Sequence, residues 1–256
     1  MRARTALAGV GVVLGSLLVL IVGAGVVLHE PLPQGEPGPA ADALAREVEA
    51  HSNPEGWANT RVVQWTFRGV HHHTWDRDRG WVRTRHGDQT TWLRLDDRSG
   101  HVEQDGVALA HHRARRALDA AYARWANDSF WLNPLAKLFD PGTRRERVPG
   151  EDGGLLVIYE SGGVTPGDAY LWELGPDARP IAWRMWVKII PIGGVRATWD
   201  DWITLSTGAR VSTRHALTQL PVGPLEITGV KGGATWQDLG LDTYPFGPLR
   251  AGPASD

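Results

Sequence analysis

The sequence contains no cysteine. That excludes disulfides, Cys-ligated zinc, thiol catalysis and thioether lipidation of this chain. Lysine is nearly as scarce: the 27 basic residues, less Lys137, Lys188 and Lys231, leave 24 arginines. No charge sign dominates. The net charge of −2 gives no global positive field, so no nucleic-acid partner is expected. GxSxG, P-loop and HExxH motifs are all missing, as is any evident repeat of about 20–50 residues. Catalytic patterns are therefore sparse. The sequence points away from an enzyme and toward no cofactor.

Of the aromatics, Phe and Tyr number four each while Trp reaches 13. GC-rich codons account for part of the high Arg, Gly, Pro and Trp content. An indole still takes space and needs a partner for its N–H when buried. With 42% hydrophobic and 22% charged residues over a length of 256, the composition is globular and excludes a disordered or fibrous protein.

Ala6–Leu28 is apolar apart from Ser16 and glycines. As a helix this run of about 23 residues extends roughly 34 Å, enough for a bilayer core. Arg2 and Arg4 precede it, and no basic residue follows until Arg46, so the positive-inside rule places the body outside the cytoplasm. Residues 1–29 thus read as a membrane anchor. A cleaved signal segment, with Val22 and Ala24 before the cut, is the alternative. Gly11 and Gly15 carry a helix-pairing spacing in a Gly-rich chain. The expected location is membrane-anchored, with the body exported to the periplasm or cell exterior. With no Cys, a bacterial-type lipid anchor on this chain is impossible.

Residues 30–39 form a Pro/Gly linker, 40–241 a β domain and 242–256 a Pro/Gly-rich tail. Leu44 and Val48 predict a helix over about 40–50, ended by a turn at Asn53–Gly56. From Thr60 the period changes to two, with Val63, Trp65 and Phe67 on one face. Short turns at Asp76–Gly80, His86–Asp88 and Asp97–Gly100 connect a meander to about Gln104. A helix is predicted over about 109–126, followed by the short apolar insert Phe130–Phe139. Strands follow at 144–148, 154–160, 168–174, 180–190, 195–206, 210–220 and 225–229. In the 180–190 strand both faces carry large apolar groups, so neither is expected to be fully in water. The fold class is mainly β with helices (α+β): a curved antiparallel sheet, because so long a sheet must curl to hide its edges.

Several residues stand out as candidate sites. Trp65, Trp92, Trp172, Trp183 and Trp199 occupy positions that could face a concave interior, either as a solid aromatic core or as a cavity lining. The Phe130–Phe139 insert fits a movable lid or a permanently packed helix. No metal signature is present. The weaker alternative is a site of His71, His73 and Asp76, with the Cβ atoms of the two histidines about 7 Å apart on one strand face. His111, His112, Asp200 or Asp201 could complete it. Asp200 and Asp201 alternate across a strand and cannot act together as a dyad.

The helix Ala41-Asp42-Ala43-Leu44-Ala45-Arg46, the aromatic strand Val63–Gly69, the insert Phe130–Phe139 and the return Pro166–Trp172 follow one another in an exported chain. This element order, over residues 41–239, resembles the lipoprotein-carrier class of bacterial envelope proteins. The resemblance carries no diagnostic motif. It implies an unclosed β-barrel with a helical lid, an apolar cavity for acyl chains and an early-strand arginine, Arg61 or Arg68, bonded to the lid. The expected function is binding of a lipid or lipid-modified ligand without bond chemistry. Trp65, Phe67, Trp92, Trp131, Leu132, Leu135, Trp172, Trp183, Met185 and Trp199 are the expected contacts. The alternatives are a metal-assisted hydrolase using the His71–Asp76 region and a non-catalytic structural or interaction module of the envelope.

Overall fold

A computed structural model describes residues 29–150 and 154–250. The apolar run Ala6–Leu28, with its anchor and signal readings, lies outside the described residues. Among those described, no helix is long and apolar enough to cross a membrane.

The described chain begins with β1 (Glu36–Pro37), α1 (Pro39–Ala50) and α2 (Pro54–Asn59). A meander follows: β2 (Val62–Phe67), β3 (His71–Asp76), β4 (Trp81–His86), β5 (Gln89–Arg94), β6 (Gly100–Gln104) and β7 (Val107–Ala108). Its hairpins follow from turn chemistry. Gly87 alone supplies the positive φ at the β4–β5 turn, and Asp105-Gly106 supplies two in a row at the β6–β7 turn. The long helix α3 (His111–Leu132) and a 3-10 turn (Pro134–Lys137) cross to β8 (Thr143–Val148), β9 (Gly154–Tyr159), β10 (Asp168–Leu174), β11 (Pro180–Trp186) and β12 (Val195–Thr198). β13 (Asp200–Thr204), β14 (Arg210–His215) and β15 (Leu225–Gly233) complete the strands, and α4 (Gly247–Arg250) closes the described chain.

The strands form two antiparallel sheets, neither closed into a barrel. One has six strands in the order β1-β8-β9-β10-β11-β12. The other has nine, in the order β13-β14-β15-β2-β3-β4-β5-β6-β7. The fold is thus mainly β with a few helices, divided between two sheets where one was expected. The division falls inside the 195–206 stretch, which the sequence reads as a single strand. Trp199 interrupts it: its backbone N–H bonds back to Ile181 O, its side chain is buried, and Asp201 two residues on takes a left-handed φ of 53°. A lone bridge between Ala197 and Leu217 ties the two sheets at this corner.

Three further elements differ from the sequence reading. Asn53–Gly56 does not simply turn. Asn53, in the left-handed region, caps α2 by accepting from the Gly56 N–H. The mid-chain helix runs six residues past Ala126, so Phe130, Trp131 and Leu132 form its last turn. The 180–190 strand ends at Trp186, leaving Ile189 on an exposed loop.

The main core lies between the inner faces of the two sheets and is closed by α1 and the end of α3. The alternation Val63, Trp65, Phe67 is buried there, as are Trp172 and Trp183. Trp183 is the hub of an aromatic cluster, with ring centroids 4.5–5.7 Å from those of Tyr170, Trp199, Trp131, Trp172 and Phe130. The insert is packed into the same core: Leu132, Leu135 and Leu138 are all buried. Farther along the nine-stranded sheet, Leu118 of α3 covers Leu93 and Val102. The opposite face of β5 is covered by the start of the Pro/Gly-rich tail, where Phe246 and Leu249 bury against Trp92. The Trp92 indole donates to Pro245 O at 2.8 Å.

Candidate functional site: an apolar cavity with a His–Asp–His cluster

A cavity of about 1010 Å³ opens between α3 and the inner faces of the sheets. α3 supplies Tyr122, Trp125, Phe130 and Trp131. The strands supply Phe67, Tyr159, Tyr170, Met185 and Leu225. The loops after β9 and β11 form part of the rim, through Gly162–Val164 and Ile189–Ile190. The walls are mostly apolar; the charged lining residues are Arg68, Arg124 and Lys137 with Asp128, Asp140 and Asp168, and Lys137 pairs with Asp140. Burial raises the phenols of Tyr159 and Tyr170 above their ordinary values, so both stay neutral.

Of the expected ligand contacts, Phe67, Trp131 and Met185 line this cavity. Trp65, Leu132, Leu135, Trp172, Trp183 and Trp199 belong to the filled core behind it. Trp92 lies on the other side of the sheet, beneath the C-terminal segment. It faces away because it sits one residue out of phase with Leu93, which packs on α3. The buried indole N–H groups of Trp65, Trp75, Trp125, Trp183 and Trp199 have no hydrogen-bond partner among the described residues.

Neither Arg61 nor Arg68 bonds to the insert among the described residues. Arg61 pairs with Asp78, and Arg68 sits in the β2–β3 turn with a left-handed φ of 50°. Arg145 on β8 reaches the insert instead. It donates to Leu138 O at 3.0 Å, pairs with Asp42 of α1 at 2.6 Å and lies over the Phe139 ring.

At one end of the cavity three titratable side chains converge. Strand parity puts His71, His73 and Trp75 on the face toward α3. Trp75 meets Trp125 there at 5.1 Å. His71 Nδ1 lies 2.8 Å, and His73 Nε2 2.7 Å, from the same oxygen, Asp128 Oδ2. Both nitrogens donate, because a carboxylate oxygen can only accept. Asn127 donates to Asp128 Oδ1 at 2.9 Å. His73 Nδ1, 3.0 Å from Thr84 Oγ1, then accepts from that hydroxyl. Burial pulls His73 below the ordinary imidazole range, against the raising effect of its Asp128 hydrogen bond. Asp128 and His73 are buried, while the His71 side chain is 19% exposed and lines the cavity with Asp128.

Asp76 takes no part in this cluster. It falls on the opposite face of β3, where it accepts from Arg79 and from the Tyr244 hydroxyl. His111 and His112 begin α3, roughly 24 Å along the helix from Asp128 at 1.5 Å per residue. Asp200 and Asp201 stand at the sheet corner. The residue that sequence reasoning missed is Asp128. A signal for it exists: Leu118, Tyr122 and Trp125 mark an apolar stripe, and position 128 continues it with an acid. Ending the helix at Ala126 hid that signal.

No protein-family model matches the chain, and no curated protein matches it significantly.

Proposed function

We propose that the chain binds the hydrocarbon portion of a lipid or lipid-modified ligand in the α3 cavity, without bond chemistry. The observation that carries this reading is the cavity itself. Its 1010 Å³ is at the upper end of the roughly 300–1,000 Å³ of ordinary ligand pockets, and its walls are chiefly aromatic and aliphatic. A dozen buried methylenes would contribute roughly 10 kcal/mol, against association costs of about 4–15 kcal/mol. That balance gives reversible binding, and a competing acceptor sets the direction of transfer. Arg68 and Arg124, both in the lining, are the cations that would pair with an anionic head. In this reading the two sheets act as one coiled, unclosed barrel, with α3 and the packed insert as its cover, as in the lipoprotein carriers. The body works outside the cytoplasm, and residues 6–28 tether it to the membrane or export it.

The test is titration of a fluorescent fatty acid into a fragment beginning at His29, which keeps the Glu30 contacts to Arg184 and Trp186. Saturable binding is expected, lost when Ala126→Trp fills the cavity from α3. A folded fragment without saturable binding would leave the structural or interaction module as the better reading.

A further inference from the structure

The His71–His73–Asp128 cluster is not needed to hold an acyl chain, and its make-up asks for another explanation. A buried carboxylate is costly unless a positive charge offsets it. Asp128 has no lysine or arginine partner among the described residues. Its neighbours are the two imidazoles and the Asn127 amide. His71, His73 and Asp128 each offer one ligand atom, and these atoms all lie within 4.8 Å of one another.

We propose that His71 Nδ1, His73 Nε2 and Asp128 Oδ2 hold one divalent transition-metal ion of the zinc class, with its remaining coordination open toward the cavity. Two imidazoles and one carboxylate suit such an ion better than magnesium or calcium, which prefer oxygen ligands. Ligand bonds of about 2.1 Å in tetrahedral geometry put donor atoms about 3.4 Å apart. The N···O pairs, now 2.7 and 2.8 Å apart, would open by about 0.6–0.7 Å. Each imidazole remains neutral on coordination and carries its proton on the other ring nitrogen. For His73 that nitrogen is Nδ1, which then donates to Thr84 Oγ1, while Asn127 continues to hold the second Asp128 oxygen. Both outer partners are thus already in place. The ion would offset the buried carboxylate charge. The exposed edge of His71 gives a route of entry.

The site stands whether or not the cavity holds an acyl chain, and its test is independent of lipid. The full chain, purified in mild detergent without chelator, is dialysed against Zn2+ and then against metal-free buffer. Metal content is read by mass spectrometry. One Zn2+ per chain is expected. Replacement by Co2+ should give visible absorption bands of a four- or five-coordinate centre. Asp128→Ala and His71→Gln should each weaken metal binding at least tenfold, while His111→Ala/His112→Ala leaves it unchanged. If Asp128→Ala fails to fold by circular dichroism, the partly exposed His71→Gln decides. A folded wild-type chain that retains no metal overturns the proposal. So does a Zn2+ affinity unchanged by His71→Gln, because the ion would then sit on other residues.

Discussion

Acidification from pH 7.5 to 4.5 is expected to weaken the fold, and one separable part of the loss comes from His215. Its ring is buried, with centroids 4.3 Å from Trp199 and 5.1 Å from Trp131. Nδ1 lies 3.0 Å from Thr198 O and therefore donates to it. Nε2 is buried with no partner among the described residues. A second proton on this ring would place a charge among indoles with no acceptor for the new N–H. Burial accordingly pulls His215 from the ordinary 6.5 to about 4. Between those values the unfolded chain binds the proton and the native chain does not, so stability falls as pH falls. The contribution is fully present above pH 6.5. At roughly 1.4 kcal/mol per pKa unit, the loss by pH 4.5 is about 2–3 kcal/mol. Urea unfolding of the fragment from His29, at half-unit pH steps, measures it. Other groups titrate in the same range, so the readout is the difference between wild type and His215→Gln. The variant changes packing at every pH, but only the pH-dependent part counts. Wild type should lose about 2–3 kcal/mol more than the variant over this range. Parallel profiles would refute the reasoning.

Three other substitutions probe the rest of the architecture. Trp183→Ala removes the hub of the aromatic cluster and should cost about 3–5 kcal/mol in urea unfolding. Arg77 donates to the carbonyls of Trp57 and Thr60 and stacks 4.2 Å over the Trp57 ring. Arg77→Met leaves the Thr60 carbonyl without a donor, while the Trp57 carbonyl keeps the Thr60 N–H, and should cost about 1–3 kcal/mol, measured the same way. Phe246→Ala should release the C-terminal segment locally, and exchange of the Trp92 indole hydrogen should rise while that of the Trp65 indole does not.

The sequence made the meander legible because its faces alternate cleanly and its turns carry residues that tolerate positive φ, as at Gly87 and Asp105-Gly106. It also made α1 legible, through the spacing of Leu44 and Val48. The corner at Trp199 was not legible, because a tryptophan between strand-like residues favours continuation locally. The break comes from a change of partner: the Trp199 N–H still bonds to Ile181 O beside β11, whereas Asp200 pairs with Arg214 of β14. The cavity was half legible. Phe67 and Met185 follow from strand periodicity and Trp131 from the apolar insert, but neither signal can tell a wall from the filled core that holds Trp172 and Trp183. The His–Asp–His cluster needed a pairing between β3 and α3, 57 residues apart for His71 and Asp128. Parity alone rejects Asp76, since an odd step from His71 or His73 reaches the other face of the strand.

Quenching by a fatty acid brominated along its chain tests the cavity most directly, because bromine darkens only the indoles it touches. Trp125 and Trp131 line the cavity, whereas Trp92 lies under the C-terminal segment. Saturable quenching is expected, reduced by Trp131→Phe and by Trp125→Phe and unchanged by Trp92→Phe. Quenching that never saturates, or that persists undiminished without both Trp125 and Trp131, would contradict an acyl chain seated between α3 and the sheets.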